Sequence, residues 1–550
     1  MKDREGRTVA RNIDPNARPE DRRPGYSWQF LCPSGGYREM ILAQTREICE
    51  RYDVDGFWYD ICYVSGPCYC PNCLAGMAQE GLDPAREEDA QRYLVLNWQR
   101  FMTACNEVIH AAHPQATVFY NGTTGIYTPD FTPWMTQIEL EDLPTTWGGY
   151  DKFPLRSRYF ATKGKPMIAM SGKFHTSWGE FGGFKHPDAL RFEAASMIAY
   201  GVACNFGDQL HPLGEMDPAT YRSIGEALQY VEQIEDYGPG GEPCANLGLW
   251  LTGSHADDQG VANMLLERQA DFAVALPGAD LSRFETVILT GARSLDERAA
   301  AQLNDYVAAG GSLLVLGESA LDPRGERLLL DVGAEYVGPA QYELDYLVAG
   351  PALSEGVVES PFLSYTAALR CRPTDGEVLA GIREPYFDRT YAHYCSHLNT
   401  PYQPADAAHP GALRKGRVVF LPHRLGALYY EHGARLHRQF FSNALRLVYR
   451  HPFFSARMPS SGRVSVLHQR EERRYAVHLL YGPPLQRGRC LVIEDLVPLY
   501  DVPVALRVPQ EIKRAYLVPG GQEVALEREG DGVRAVVPRV ECHQIIVFEY

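Results

Sequence analysis

A carboxylate at the end of an apolar run is the first chemistry this sequence offers. Val54-Asp55-Gly56-Phe57-Trp58-Tyr59 reads as a buried strand that places Asp60 at its carboxyl end. An acid there can attack or protonate a glycosidic bond if a second carboxyl stands across it. That separation is about 5–5.5 Å for a retaining reaction and roughly 6.5–9.5 Å for an inverting one. Glu139 and Glu141 are candidates, two apart on one predicted strand and so on the same side of it. Glu180 is another, in the loop Phe174-His175-Thr176-Ser177-Trp178-Gly179-Glu180 straight after a strand. Asn121 and Asp208 also end predicted strands. Trp147 and Trp178 offer stacking faces for a sugar, and His175 and His211 offer hydrogen bonds to its hydroxyls. Asn121, Trp147, His175, Trp178, Asp208 and His211 make up the expected substrate-binding set.

Cys68, Cys70 and Cys73 form C-x-C-x-x-C beside Asp60. In a chain without a secretory leader this spacing points to a metal, most often zinc. Cys32, in Phe30-Leu31-Cys32-Pro33, is the expected fourth ligand, with Cys62 as the alternative. Four thiolates leave no open position for water, so the zinc would be structural and would hold the loop.

These groups need a scaffold. Tyr37, Ile41, Ile48 and Tyr52 fall on one face of a helix that leads into the Asp60 strand. Leu94, Trp98, Phe101, Cys105, Val108 and Ala112 form the stripe of a long second helix. Strands are predicted over 116–121, 135–141, 166–172 and 202–208, with Leu190, Ala194, Met197 and Ile198 facing inward from the helix before the last. Residues 1–36 are polar, with 27–32 as their one strand. The alternation predicts a (β/α)8-type barrel over residues 1–240, an open doubly wound sheet being the alternative. Five strands are recognisable where a closed barrel has eight. About three N-terminal βα units are therefore expected to be missing, as in a truncated reading frame.

Tyr237-Gly238-Pro239-Gly240-Gly241 marks a linker. Beyond it, buried strands over 247–252, 270–276, 286–290 and 312–317, a helix over 296–309, a strand over 417–421 and a helix over 434–449 predict a flavodoxin-like α/β domain spanning 245–455. It carries no dinucleotide fingerprint or Walker motif, and no organic cofactor is expected. From 461 to 550 only short strands remain (464–467, 474–480, 489–494, 504–508 and 544–548), the pattern of a β-sandwich.

Composition narrows the partners. The chain has 550 residues, 45% hydrophobic and 22% charged, with a formal net charge of −16. That balance argues against nucleic acid or an anionic membrane as the main partner. No apolar run reaches membrane-spanning length, and Met1-Lys2-Asp3-Arg4-Glu5 is no signal peptide. An odd number of cysteines, 13, with several crowded at Cys62–Cys73, predicts a reducing cytoplasm.

Trp58-Tyr59-Asp60 followed by Cys68-Tyr69-Cys70 and Cys73 resembles the trimeric, zinc-containing bacterial β-galactosidases with an α/β barrel. In that family an upstream Cys-Pro segment before a Tyr-Arg helix completes the zinc site, as Cys32-Pro33 and Tyr37-Arg38 would here. Residues 245–455 resemble its trimerisation domain and the tail its β-sandwich, which implies a homotrimer. The family's acid/base glutamate stands where this chain has Asp60, after Tyr59 rather than Asn, and no glutamate directly ends the strand 166–172, where its nucleophile belongs. Glu139-Leu140-Glu141, the 174–180 loop and Gly207-Asp208-Gln209 resemble instead a neighbouring group similar to α-L-fucosidases, whose nucleophile is an aspartate ending the fourth barrel strand. By that likeness Asp60 is the nucleophile, and Glu141, or else Glu139 or Glu180, is the acid/base. L-Fucose has the galacto configuration in mirror image, so either substrate is compatible.

The sequence thus predicts an exo-acting, retaining glycoside hydrolase for a terminal galacto-configured sugar on an oligosaccharide or glycoside. The alternative is a catalytically impaired barrel that serves as a sugar-binding or assembly protein.

Overall fold

The computed structural model describes residues 1–11, 18, 28–62 and 66–550. These form two compact units, Met1–Leu140 with Lys163–Ile168, and Glu141–Thr162 with Ala169–Tyr550.

In the first unit, β1 (Ala10–Arg11) pairs antiparallel with β2 (Trp28–Gln29). Part of the expected 27–32 strand is therefore present, while Ser27 lies outside the described residues. Helix α1 (Gly36–Arg51) follows, then β3 (Gly56–Tyr59), α2 (Pro71–Gln79), the long α3 (Glu87–Ala112) and β4 (Thr117–Tyr120). Strands β3 and β4 run parallel, with Tyr59 opposite Tyr120, so Asp60 and Asn121 leave the sheet side by side. The core beneath them comes from Leu94, Trp98, Phe101, Cys105 and Ile109 of α3 with Val118 and Phe119 of β4. The expected α3 stripe holds as far as Cys105. It then moves to Ile109, with Val108 half-buried and Ala112 exposed. A helix of 3.6 residues per turn rotates such a stripe around itself over seven turns.

Two expectations fail here. β3 is not a buried strand: it alternates exposed and half-buried, and Trp58 is 43% exposed. Among the described residues β4 is its one sheet partner, so one edge stays open. Likewise, of the four residues expected on one face of α1, Tyr37 and Ile41 pack against the core, while Ile48 and Tyr52 are exposed.

The second unit begins at Glu141, the last residue of β5 (Ile138–Glu141). It continues through α4 (Lys152–Ala161), β6 (Met167–Gly172, whose first residues belong to the other unit), α5 (Pro187–Ala199), β7 (Ala203–Gly207) and α6 (Pro218–Val231). Helix α5 is buried all round, Leu190, Ala194, Met197 and Ile198 included.

A nine-stranded sheet follows. β8 (Glu242–Pro243) precedes it, and its members are β9 (Leu247–Trp250), β10 (Ala273–Ala275), β11 (Thr286–Leu289), β12 (Ser312–Leu316), β14 (Tyr346–Ala349), β15 (Phe362–Leu363), β17 (Glu377–Arg383), β18 (Pro410–Lys415) and β19 (Val418–Leu421). A separate hairpin pairs β13 (Ala334–Gly338) with β16 (Arg370–Pro373). The order is β10-β9-β11-β12-β19-β18-β17-β14-β15, parallel as far as β19 and antiparallel beyond. The parallel strands are buried from end to end, as a sheet covered on both faces requires. The antiparallel strands between 346 and 415 went unread in the sequence, where their apolar residues are interrupted by Arg, Gly and Pro.

Helix α8 (Glu297–Ala308) is capped by Asp296, whose carboxylate accepts from Ala299 N at 2.8 Å. Helices α7 (His255–Leu266) and α9 (Leu425–His432) approach backbone to backbone at Gly260 and Gly426, and α10 (Arg435–Val448) closes the layer. A Cβ on Gly260 would collide with the main chain of Gly426. Gly260→Ala is therefore expected to destabilise the unit by about 1–3 kcal/mol, read as a lower urea midpoint.

The C-terminal strands form a four-stranded and a six-stranded antiparallel sheet. Both contribute to one core, Val466, Val477 and Leu479 from one, Val504 and Val537 from the other. β8 belongs to the six-stranded sheet, with Pro243 opposite Leu467, so residues just after the linker join the tail.

Candidate active site and metal centre

Asp60 is exposed at the end of β3, and its Oδ1 accepts from Asn121 Nδ2 at 3.0 Å and from Ile61 N at 2.8 Å. Ile61 has φ +55°, an uncommon conformation for a β-branched residue and one that clusters at functional sites. Cys62 N donates to Asn121 O at 2.8 Å, which fixes the turn after the acid. Beneath it, Tyr59 stacks on Tyr120 at 5.0 Å between centroids. Burial pushes the Cys105 thiol up to about 11, and raises Tyr59, Tyr120 and Cys62 further. The layer under Asp60 is therefore uncharged at neutral pH.

Glu139 is buried in the same unit. Trp58 Nε1 donates to its Oε2 at 2.8 Å, Gln137 Nε2 to its Oε1 at 3.3 Å, and Thr124 Oγ1 to its main-chain oxygen at 2.9 Å. Trp58 and Asp60 are two apart and share one side of their strand. The structure thus pairs Asn121 with Asp60 and Glu139 with Trp58, two residues before that acid. Trp58 was not among the residues singled out from the sequence, although its period-2 relation to Asp60 carried the signal. Asn121, expected to bind substrate, donates to Asp60.

The other candidates lie in the second unit. Glu141 is half-buried, and its main-chain oxygen accepts from Arg156 at 2.7 Å. Glu180 closes its own loop: His175 N donates to its Oε1 at 2.8 Å, Thr176 N to the same atom and Thr176 Oγ1 to Oε2. Burial works to raise this carboxyl, but the Thr176 and His175 donors outweigh it and hold it below the usual carboxylate range. A group that must carry a proton at neutral pH needs the opposite shift.

The loop so closed lays Trp178 over the ends of β6 and β7. A Cβ on Gly207 would come within 2.6 Å of the Trp178 ring, and one on Gly172 within 3.2 Å. Trp147 stacks on Trp178 at 6.1 Å, and Gln209 Nε2 donates to Glu180 O at 3.1 Å. His211 packs edge-on to Phe181 at 5.4 Å, and Asp208 lies 4.0 Å from Lys173 Nζ.

The four expected metal ligands converge within the first unit. Their Sγ atoms all lie within 4.8 Å of one another, with Cys32–Cys73 at 3.3 Å and Cys32–Cys70 at 3.8 Å. Tetrahedral zinc with bonds of about 2.3 Å sets sulfurs about 3.8 Å apart, so the donor set fits. Cys70 caps α2, Pro71 opens it and Cys73 sits in its first turn, where helix N–H groups favour anions. Lys2 N donates to Cys68 Sγ at 3.3 Å, and Asn97 Nδ2 to Cys73 Sγ at 3.8 Å. Cys62, the alternative ligand, packs in the core under Asp60 instead. All thirteen cysteines are free of disulfides.

No family model and no curated protein sequence matches the chain. Solved structures do. The β-galactosidase from Bacillus circulans sp. alkalophilus aligns with a TM-score of 0.67 at 12% identity, covering 96% of this chain and 85% of that one. That of the haloarchaeon Halorubrum lacusprofundi aligns at 0.60 and 16% identity, covering 97% and 86%. At those identities the likeness is one of fold. The α-L-fucosidase isoenzyme 2 from Paenibacillus thiaminolyticus is similar in sequence as well: TM-score 0.92 and 33% identity, over 100% of this chain and 84% of that one. An acid held at a strand end and this relationship over the full sequence agree, and the chain belongs to the glycoside hydrolase family of that α-L-fucosidase.

Proposed function

We propose that the protein is an exo-acting, retaining α-L-fucosidase. The observation that carries this reading is the 33% identity to such an enzyme along the whole chain, with Asp60 fixed by Asn121 at a strand end. Asp60 attacks the anomeric carbon as the glycosidic carbon–oxygen bond breaks. Glu139 gives its proton to the leaving oxygen, then takes one from the water that releases the sugar from Asp60. The Trp58 contact favours Glu139 over Glu141, because it ties that carboxyl to the strand of Asp60. Trp147 and Trp178 are assigned to stacking on the sugar, and Asn121, His175, Asp208 and His211 to its hydroxyls.

The test is hydrolysis of nitrophenyl glycosides. Turnover of the α-L-fucoside with the β-D-galactoside inert is the expected result. The edge of β3 left unpaired among the described residues favours one second reading, a sugar-binding or assembly protein, which would bind L-fucose without turnover.

Glu180 acts here as a positioning residue. Glu180→Gln should raise KM for the α-L-fucoside by up to about ten-fold, with kcat and the pH profile nearly unchanged. A kcat loss beyond a hundred-fold with the alkaline limb of the pH profile displaced would make it the acid/base instead.

The architecture proposed with this function is a (β/α)8-type barrel within 1–240, a flavodoxin-like trimerisation domain over 245–455 and a β-sandwich over 461–550. The assembly would be a cytoplasmic homotrimer with structural zinc on Cys32, Cys68, Cys70 and Cys73. Among the described residues no helix is long and apolar enough to cross a membrane.

A further inference from the structure

A second, unrelated site lies in the nine-stranded-sheet region. Glu285, Ser312, Arg414, Arg417, Arg450 and His451 line a cavity of about 410 Å³. It sits at the amino ends of the parallel strands: Glu285 precedes β11, Ser312 opens β12, and Arg414 and Arg417 flank the turn from β18 to β19. Arg450 and His451 follow α10. Dinucleotide cofactors occupy the opposite, carboxyl ends of such sheets, so this is not a cofactor crevice of that kind.

Its charge is unusual for this protein. The chain carries 69 acidic against 53 basic residues. Many arginines elsewhere pair with carboxylates, as Arg372 does with Glu335 and Arg383 with Asp406. Among the described residues Arg414, Arg417 and Arg450 pair with none, although all three open into one cavity. Two of them bond main-chain oxygens, Arg414 Nε to Gly416 O at 3.2 Å and Arg450 Nε to Leu447 O at 3.4 Å. Glu285, the one acid in the lining, is engaged otherwise. It accepts from Arg450 N at 2.9 Å, His451 N at 3.1 Å and His451 Nδ1 at 3.1 Å, and so fixes the 450–451 backbone.

Three unpaired guanidinium groups around a space of that size match a tetrahedral oxyanion on a small molecule, because the planar fork binds such groups through paired hydrogen bonds. We propose that this cavity binds a phosphate-type oxyanion, carried by a small phosphate or sulfate ester.

Calorimetric titration of the full chain with inorganic pyrophosphate at low salt tests this. Saturable binding that weakens steeply with added salt is expected. Arg417→Gln and Arg450→Gln should each weaken it about ten- to a hundred-fold, while the exposed, paired Arg372→Gln leaves it unchanged. Displacement of pyrophosphate by equimolar sulfate would assign the site to oxyanions generally, and resistance to displacement to phosphates. Absence of saturable binding at millimolar pyrophosphate, or equal binding by both arginine variants, would overturn the proposal. Neither outcome depends on glycosidase activity.

Discussion

Asp60→Asn is expected to abolish turnover of an α-L-fucoside, lowering kcat roughly 10³–10⁵-fold, or about 4–7 kcal/mol of barrier. The substitution keeps the shape of the side chain, and its amide oxygen still accepts from Asn121 and Ile61, so the fold should stay intact. Asp60→Gly separates the roles further. With azide present, a lost nucleophile is replaced from the vacated face, and the product is a glycosyl azide of inverted configuration. Glu139→Ala should behave differently. It should slow substrates with poor leaving groups most, spare the nitrophenyl glycoside at the first step, and give an azide product of retained configuration. Near-normal activity of Asp60→Asn would sink the assignment of the nucleophile. The inverted product from Glu139→Ala would exchange the two roles.

Loss of the metal is the second large effect expected. Purified protein should hold one zinc per chain by mass spectrometry, and Cys68→Ser or a strong chelator should remove it. The four thiols converge only in the folded chain, so metal binding is folding free energy for the segment that carries them. The cysteines share a small core with Met77, Leu82, Ala90 and Tyr93, and Cys70 and Cys73 open α2. Without the metal, the first unit should melt about 10–20 °C lower. Activity should fall with the structure, since the loop runs on from Asp60. If activity disappears while the melting temperature holds, the zinc is catalytic rather than structural; four sulfur ligands argue against that by leaving no place for water.

Much of this site could be read from local sequence. The C-x-C-x-x-C spacing forces three thiols into one helix start whatever surrounds them, and Asp60 ends its strand because an aromatic run precedes it. The Asp296 cap and the all-apolar parallel strands were similarly local. Other features resisted because their signal is distributed. The strands between 346 and 415 hide behind buried polar partners: Arg370 pairs with Asp345, which also takes His423. A charged residue in a strand looks exposed until its partner, far along the chain, is known. The donors to Glu180 come from a turn whose closure no periodicity announces.

The sequence by itself determined which residues could do the chemistry: an acid at a strand end, a cysteine quartet, and aromatic loops. Residue type and spacing fix such things through short-range geometry. Tertiary structure decided how these residues are used. It set Asn121 against Asp60, gave Glu139 the indole of Trp58, turned the Glu180 carboxylate to its own loop and, among the described residues, paired β3 with β4 alone. Those outcomes depend on which donors and strands meet across long separations, and that is settled only when the chain packs.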